Sequence, residues 1–233
     1  MLNGEFNVGV IKPIECIREG WELIKDEYWL LFAVSLVGGL IAGFTFYILL
    51  GAMICGIFGC YIRKIDGSPV VFDELWRGFG YFMPSLLVTV VFVVPMVIYF
   101  VVLFVTIYSP LIVAAAMGDH MDPSVLIGTF AAAIVVDLLV AVVMTCIHSL
   151  IMFAFPLIVD RGLTGWDAIR LSARASLKNI GGIAGLVVAN FVLGLLGVLA
   201  CSIGVYFVIP IITAGNLVAY RKVFPRIDRF RAA

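Results

Sequence analysis

The chain has 233 residues, 64% of them hydrophobic and only 13% charged, with fifteen basic and fifteen acidic side chains. Soluble domains run at roughly 45–50% apolar and about 25% charged, so the composition excludes a soluble globular fold and calls for a bilayer as the apolar solvent. A formal net charge of zero also argues against a nucleic-acid-binding surface.

The cations are not spread evenly. All fifteen fall in four clusters: Lys12, Arg18 and Lys25; Arg63, Lys64 and Arg77; Arg161, Arg170, Arg174 and Lys178; and Arg221, Lys222, Arg226, Arg229 and Arg231. Between them, 37, 83 and 42 residues pass without one. Basic residues are retained on the cytoplasmic side during insertion, so each gap should hold an even number of crossings. Barrel strands alternate polar and apolar residues, whereas these runs are apolar on every face. The expected fold is an all-α, polytopic transmembrane bundle forming a single integral membrane domain over 1–233. It has about six spans in three hairpins, each preceded by a cytoplasmic amphipathic interfacial helix. The spans are expected near 28–46, 47–64, 84–108, 124–158, 181–200 and 204–222.

In chain order, no basic n-region or small-residue cleavage site precedes the first apolar run, so the first span is expected to be an uncleaved anchor. Residues 13–27 read as an amphipathic helix: Pro13 suits the first turn, and Ile14, Ile17, Trp21, Ile24 and Tyr28 recur at three- and four-residue steps. Such a stripe belongs in the headgroup layer. Residues 28–62 carry no charge of either sign; as one helix they would reach roughly 52 Å against a hydrocarbon core of roughly 30 Å. A hairpin turning between Gly43 and Gly51 fits better. Residues 72–82 form a second amphipathic segment. In the 83-residue gap, a span over 84–108 bends at Pro95. Breakers at Ser109-Pro110 and at 118–123 bracket a short apolar piece, 111–117, expected as a short helix or re-entrant loop; four spans would satisfy the charge parity as well as two. Residues 163–178 are a third amphipathic helix with Thr164 as N-cap. The last hairpin turns near Cys201–Gly204.

Each amphipathic segment carries an acid and an arginine at i,i+3: Glu15 and Arg18, Glu74 and Arg77, Asp167 and Arg170. These spacings allow pairing and suggest a threefold repeat. The five cysteines, Cys16, Cys55, Cys60, Cys146 and Cys201, are an odd set lying mostly in apolar runs, and form no disulfide framework. Small residues at four-residue spacing (Gly51, Cys55, Gly59; Gly181, Gly185, Ala189) let helix backbones approach closely, within the chain or across to a partner.

Pro156-Leu-Ile-Val-Asp160, Gly165-Trp-Asp-Ala-Ile-Arg170, Ser172, Cys201-Ser-Ile-Gly204, Pro210 and Ala219-Tyr220-Arg221 together resemble a broad group of bacterial multi-pass membrane proteins. That group is related to the membrane domain fused to some glycerophosphodiester phosphodiesterases. The resemblance implies six spans and no activity, because the phosphodiesterase chemistry belongs to a separate soluble domain.

Asp137 is the one acid within an expected span, where an ionisable group costs roughly 2.5–3.5 kcal/mol on insertion scales. His148, eleven residues on, returns to nearly the same helix face, about 16 Å along the axis. The two form a candidate intramembrane polar pair: a proton relay or cation site on one reading, two helix-packing groups on the other. His148 could also ligate a haem or chlorin, although no second helical histidine accompanies it. Asp119-His120-Met121-Asp122 holds three metal-ligand types without a completing shell. No GxSxG, HExxH, paired-Cys or phosphate-loop pattern occurs, so no enzyme, cofactor or metal is expected. The expected function is that of an accessory or scaffold subunit of a membrane assembly, or an envelope-organising protein, in the bacterial cytoplasmic membrane with both termini cytoplasmic. The alternative is a small proton- or cation-coupled transporter using Asp137 and His148. Expected partners are anionic lipid headgroups and protein subunits or further copies of the chain, not nucleic acid.

Overall fold

A computed structural model describes residues 6–118, 122–200 and 202–226. It is all-helical, with no strand among the described residues. The elements are α1 (Pro13–Ile24), α2 (Tyr28–Phe44), α3 (Leu50–Ile65), α4 (Glu74–Arg77), α5 (Phe82–Met117), α6 (Pro123–Leu150), α7 (Ala154–Arg161), α8 (Gly165–Lys178), α9 (Ile180–Leu199) and α10 (Gly204–Val223). Five helical segments are long and apolar enough to cross a membrane: Pro13–Phe44, Glu74–Ala116, Pro123–Arg161, Ile180–Leu199 and Gly204–Val223. The chain is therefore built as a multi-pass membrane protein. Helix α3, at 16 residues, is roughly 24 Å long.

The chain divides into two compact units, one of residues up to 89 together with those from 150 on, the other of residues 90–149. In the first, α1 lies on α10 and α9, α2 on α3 and α10, and α3 on α7 and on the 74–81 turn. Glycine sets these distances. A Cβ on Gly20 of α1 would come within 2.6 Å of the Gly215 nitrogen of α10, so two backbones meet there. The Gly51, Cys55, Gly59 stripe is buried inside this unit, with Gly51 against Ser85 and Thr89 and Gly59 against Glu74. The unit's largest enclosed side chains are aromatic: Tyr61, Tyr220, Phe153 and Phe224, the last three meeting tilted or edge-on at centroid distances of 5.3–6.1 Å.

Several boundaries differ from the sequence reading. Pro110 does not break the chain: α5 runs unbroken from Phe82 through Pro95 and Pro110, so the expected span 84–108 is too short and residues 111–117 are its last turns, not a re-entrant piece. The expected span 124–158 is instead interrupted at 151–153, between α6 and α7. Ser172 holds that break, accepting the Phe153 N–H (3.1 Å) and donating to the Leu150 carbonyl (2.7 Å). The segment 72–82 is one α-turn and a 3-10 turn leading straight into α5, not a separate amphipathic helix. The turn between α2 and α3 falls within Gly43–Gly51, and its left-handed residues are Phe46 and Tyr47, not glycines.

Of the three acid–arginine pairs, only Glu74 and Arg77 meet, at 3.4 Å. Glu15 takes Lys12 instead (3.1 Å). Asp167 takes Thr164, whose hydroxyl caps α8 as the sequence suggested. In both cases the partner lies three residues before the acid rather than three after it. The apolar stripe of α1 also splits: Ile24 is buried while Ile14 is 83% and Trp21 42% exposed, because Cys16, Gly20 and Ile24 form the face against the bundle.

Candidate functional site

Within residues 90–149, Asp137 and His148 each meet α5, and neither meets the other. The Thr106 hydroxyl lies 2.9 and 3.0 Å from the two Asp137 carboxyl oxygens and 3.0 and 3.1 Å from the Val102 and Leu103 carbonyls. Thr106 has one proton for these four acceptors and two lone pairs of its own. It can therefore donate to a carboxylate, or donate to its own helix while accepting from a carboxylic acid. The bond survives in either form. His148 has Nδ1 at 2.7 Å from the Met144 carbonyl and Nε2 at 3.1 Å from the Phe92 carbonyl, with the Phe92 ring edge-on at 4.5 Å. A neutral imidazole has one N–H for these two carbonyls; the imidazolium has one for each. In the neutral ring the unprotonated nitrogen faces a carbonyl oxygen, which occupies the position that the metal of a haem or chlorin would take. The contacts pair 106 with 137 and 92 with 148, which is the register of two antiparallel helices.

The Phe92 carbonyl stands three residues before Pro95, where the ring removes a backbone donor and loosens the turn. The same arrangement occurs in α10. There the Phe207 carbonyl, three residues before Pro210, accepts the Tyr28 hydroxyl at 2.7 Å. Prolines are tolerated in spanning helices when a neighbouring side chain takes up the loosened backbone group. His148 and Tyr28 each bond the carbonyl next to the one that the proline leaves without a donor, Val91 in α5 and Tyr206 in α10. The sequence showed each proline and each donor, but not that they were matched.

In the other unit, the strongest polar assembly was not singled out from the sequence as a site. Arg221, on α10, holds Asp160 of α7 with two nitrogens (2.7 and 3.0 Å) and Asp66, just past α3, at 2.9 and 3.0 Å. Tyr220 donates its hydroxyl to Asp160 at 2.7 Å. Side-chain exposures of 12%, 15% and 21% for Arg221, Asp160 and Asp66 place the charges mostly out of water. Asp160, Tyr220 and Arg221 are among the residues that carried the resemblance described above; Asp66 could not be found that way, being 155 positions from its partner. Next to the cluster, the Arg161 guanidinium stacks on Phe224 at 4.9 Å.

Two further polar contacts escaped the sequence reading. Asn190 of α9 donates to Asn216 of α10 at 2.9 Å, in the middle of apolar helices. Asn179, buried between α8 and α9, accepts from the Gly9 N–H (2.7 Å) and donates to the Asn7 carbonyl (3.1 Å), clasping the segment that precedes α1. These groups bind helices to one another and present no convergent, unoccupied donor set. Among the described residues no group of three or more His, Cys, Asp or Glu could hold a metal. Asp119, His120 and Met121 lie outside the described residues. Asp122 takes the Ser124 N–H at 2.8 Å, a bond that holds its carboxyl below the usual carboxylate range.

Comparison with known proteins adds no relative: no family model, no curated protein and no solved structure matches the chain.

Proposed function

We propose that this is a non-enzymatic integral membrane protein of the bacterial cytoplasmic membrane, acting as an accessory or scaffold subunit of a membrane assembly or as an envelope organiser. It would have six spans in three hairpins, α3 completing the first, with both termini and the amphipathic segments on the cytoplasmic side. The relation to the membrane domain fused to glycerophosphodiester phosphodiesterases is part of the same proposal. One observation carries the functional reading: the ionisable side chains Asp137 and His148 of the apolar helix α6 are each engaged by α5 and do not contact each other. A transport path needs polar groups that exchange partners with an ion. These have helix-to-helix partners, as packing groups do.

The transporter remains the second reading, because Asp137 is a carboxyl in a highly apolar helix. Proton or cation flux into vesicles reconstituted with the purified protein separates the two. The expected result is no flux above empty vesicles for the wild type, together with recovery of a stoichiometric protein partner in mild detergent. Flux abolished by Asp137→Asn would overturn the scaffold reading. Asp137→Asn is expected to change stability by less than about 1 kcal/mol, since the amide keeps an acceptor for Thr106 and interhelical hydrogen bonds in membranes average about 0.6 kcal/mol. Thermal melting of the two proteins checks this.

The topology has its own test, motivated by fifteen cations in four segments and none between them. A membrane-impermeant maleimide added outside whole cells should modify His120→Cys and spare Leu177→Cys and Arg226→Cys, each scored against the parent chain. Labelling at 177 from outside would reverse the orientation.

A further inference from the structure

Between α1 and α9 runs an open groove of 760 Å³, lined by one face of each helix. Ile14, Ile17 and Trp21 form one wall and Val188, Ala189 and Val192 the other, with Arg18 at the rim. The volume lies within the roughly 300–1,000 Å³ of small-molecule sites. The helices approach closely where a Cβ on Gly185 would stand 2.5 Å from the Pro13 ring. The walls are almost wholly aliphatic and aromatic.

Arg18 is the exception, and its neighbours make it available. Each nearby acid on α1 is already engaged: Glu15 with Lys12, Glu19 with Lys222 and Glu22 with Lys25. Arg18 has no ion pair among the described residues and is exposed. A guanidinium at the edge of an apolar groove on an amphipathic helix is complementary to one molecule present throughout the surrounding membrane. From these contacts we infer that the groove is a binding site for an anionic phospholipid. One acyl chain lies between Ile17 and Val192, and the phosphodiester takes a two-pronged hydrogen bond from Arg18. A zwitterionic lipid offers the same chain and phosphate, but its choline brings a positive charge toward Arg18, so the site prefers net-negative headgroups. The inference rests on the proposed membrane placement and deepens the expected contact with anionic lipid into a defined site. It does not depend on the scaffold reading.

Native mass spectrometry of the full-length protein, delipidated in detergent and titrated with phosphatidylglycerol or phosphatidylcholine, tests it. The wild type should bind one phosphatidylglycerol about tenfold more tightly than phosphatidylcholine, the ratio typical of one charge-assisted contact. Arg18→Gln should bring phosphatidylglycerol to the phosphatidylcholine level while leaving the melting temperature of the lipid-free protein unchanged. Val192→Trp, which fills the groove from a position exposed on α9, should lose both lipids. An Arg18→Gln protein that keeps the preference, or a Val192→Trp protein that keeps the lipid, overturns the site. So does a lipid-free dimer that Val192→Trp dissociates, because a second copy of the chain would then occupy the groove. The maleimide labelling reads orientation independently, so a failure here is distinguishable from a failure of the membrane topology.

Discussion

Arg221→Gln is expected to lower the stability of the protein by about 3 kcal/mol, the low end of the cost of breaking a buried ion pair from one side. The arginine is the common donor for Asp66 and Asp160. Without it, two carboxylates remain largely out of water, with the Tyr220 hydroxyl on Asp160 alone. The penalty comes from those stranded charges more than from the lost bonds. Arg221→Gln combined with Asp66→Asn and Asp160→Asn should therefore recover most of the loss. Arg221→Lys should fall in between, because an ammonium cannot reproduce the fork that grips Asp160 with two nitrogens. At roughly 2–4 °C per kcal/mol for a chain of this size, the single substitution should lower the melting temperature by about 6–12 °C. A shift under about 2 °C would mean that the cluster is hydrated and contributes little.

Gly56→Ala and Gly78→Ala are each expected to destabilise by about 1–3 kcal/mol, as overpacking does, although alanine is ordinarily the better helix residue. A Cβ at Gly56 would stand 2.2 Å from the Leu75 carbonyl oxygen, and one at Gly78 2.2 Å from the Ala52 carbonyl oxygen. Both obstacles are backbone and cannot swing aside, so α3 and the 74–81 turn would have to separate. Because either methyl opens the same interface, the double substitution should cost less than the two single costs added together. The contrast is Gly39→Ala in α2, where a Cβ meets nothing within 4 Å. There the helix propensity of alanine, up to about 1 kcal/mol over glycine, should leave the protein equal or more stable. Thermal melting of the four variants in one detergent checks the sign of each. A neutral Gly78→Ala would show that the helix and the turn do not approach so closely.

Where the sequence was legible, a local rule was enough. Hydropathy over twenty residues marks an apolar helix, and the hydroxyl of Thr164 caps α8 because its acceptor and the Asp167 N–H lie within one turn. The turn between α2 and α3 follows from an uncharged run too long for one crossing. Helices α5 and α6 show where local rules stop. Their outward aliphatic side chains are as apolar as the enclosed ones elsewhere, because lipid and protein interior are similar solvents for leucine, so hydropathy does not say which face packs. Pro110 reads as a breaker from the sequence, yet α5 continues through it. At Pro95 and Pro210 the neighbouring carbonyls receive a donor from another helix, and such a donor can be assigned only once the helices are placed.

The candidate site divides in the same way. An acid and a histidine in an apolar helix were visible from spacing alone, and their shared face on α6 follows from helical periodicity. Their partners, Thr106 and the Phe92 carbonyl, were not visible, because a threonine in an apolar run is unremarkable until a carboxyl stands 2.9 Å away. The sequence by itself determined that this chain is a bundle of apolar helices with its cations gathered at their ends, since composition and insertion energetics depend on local segments. Only the tertiary structure decided which ends meet. Asp66, Asp160 and Arg221 come from three distant segments, and the attraction that selects one arginine for both acids acts only after folding has carried them within 3 Å.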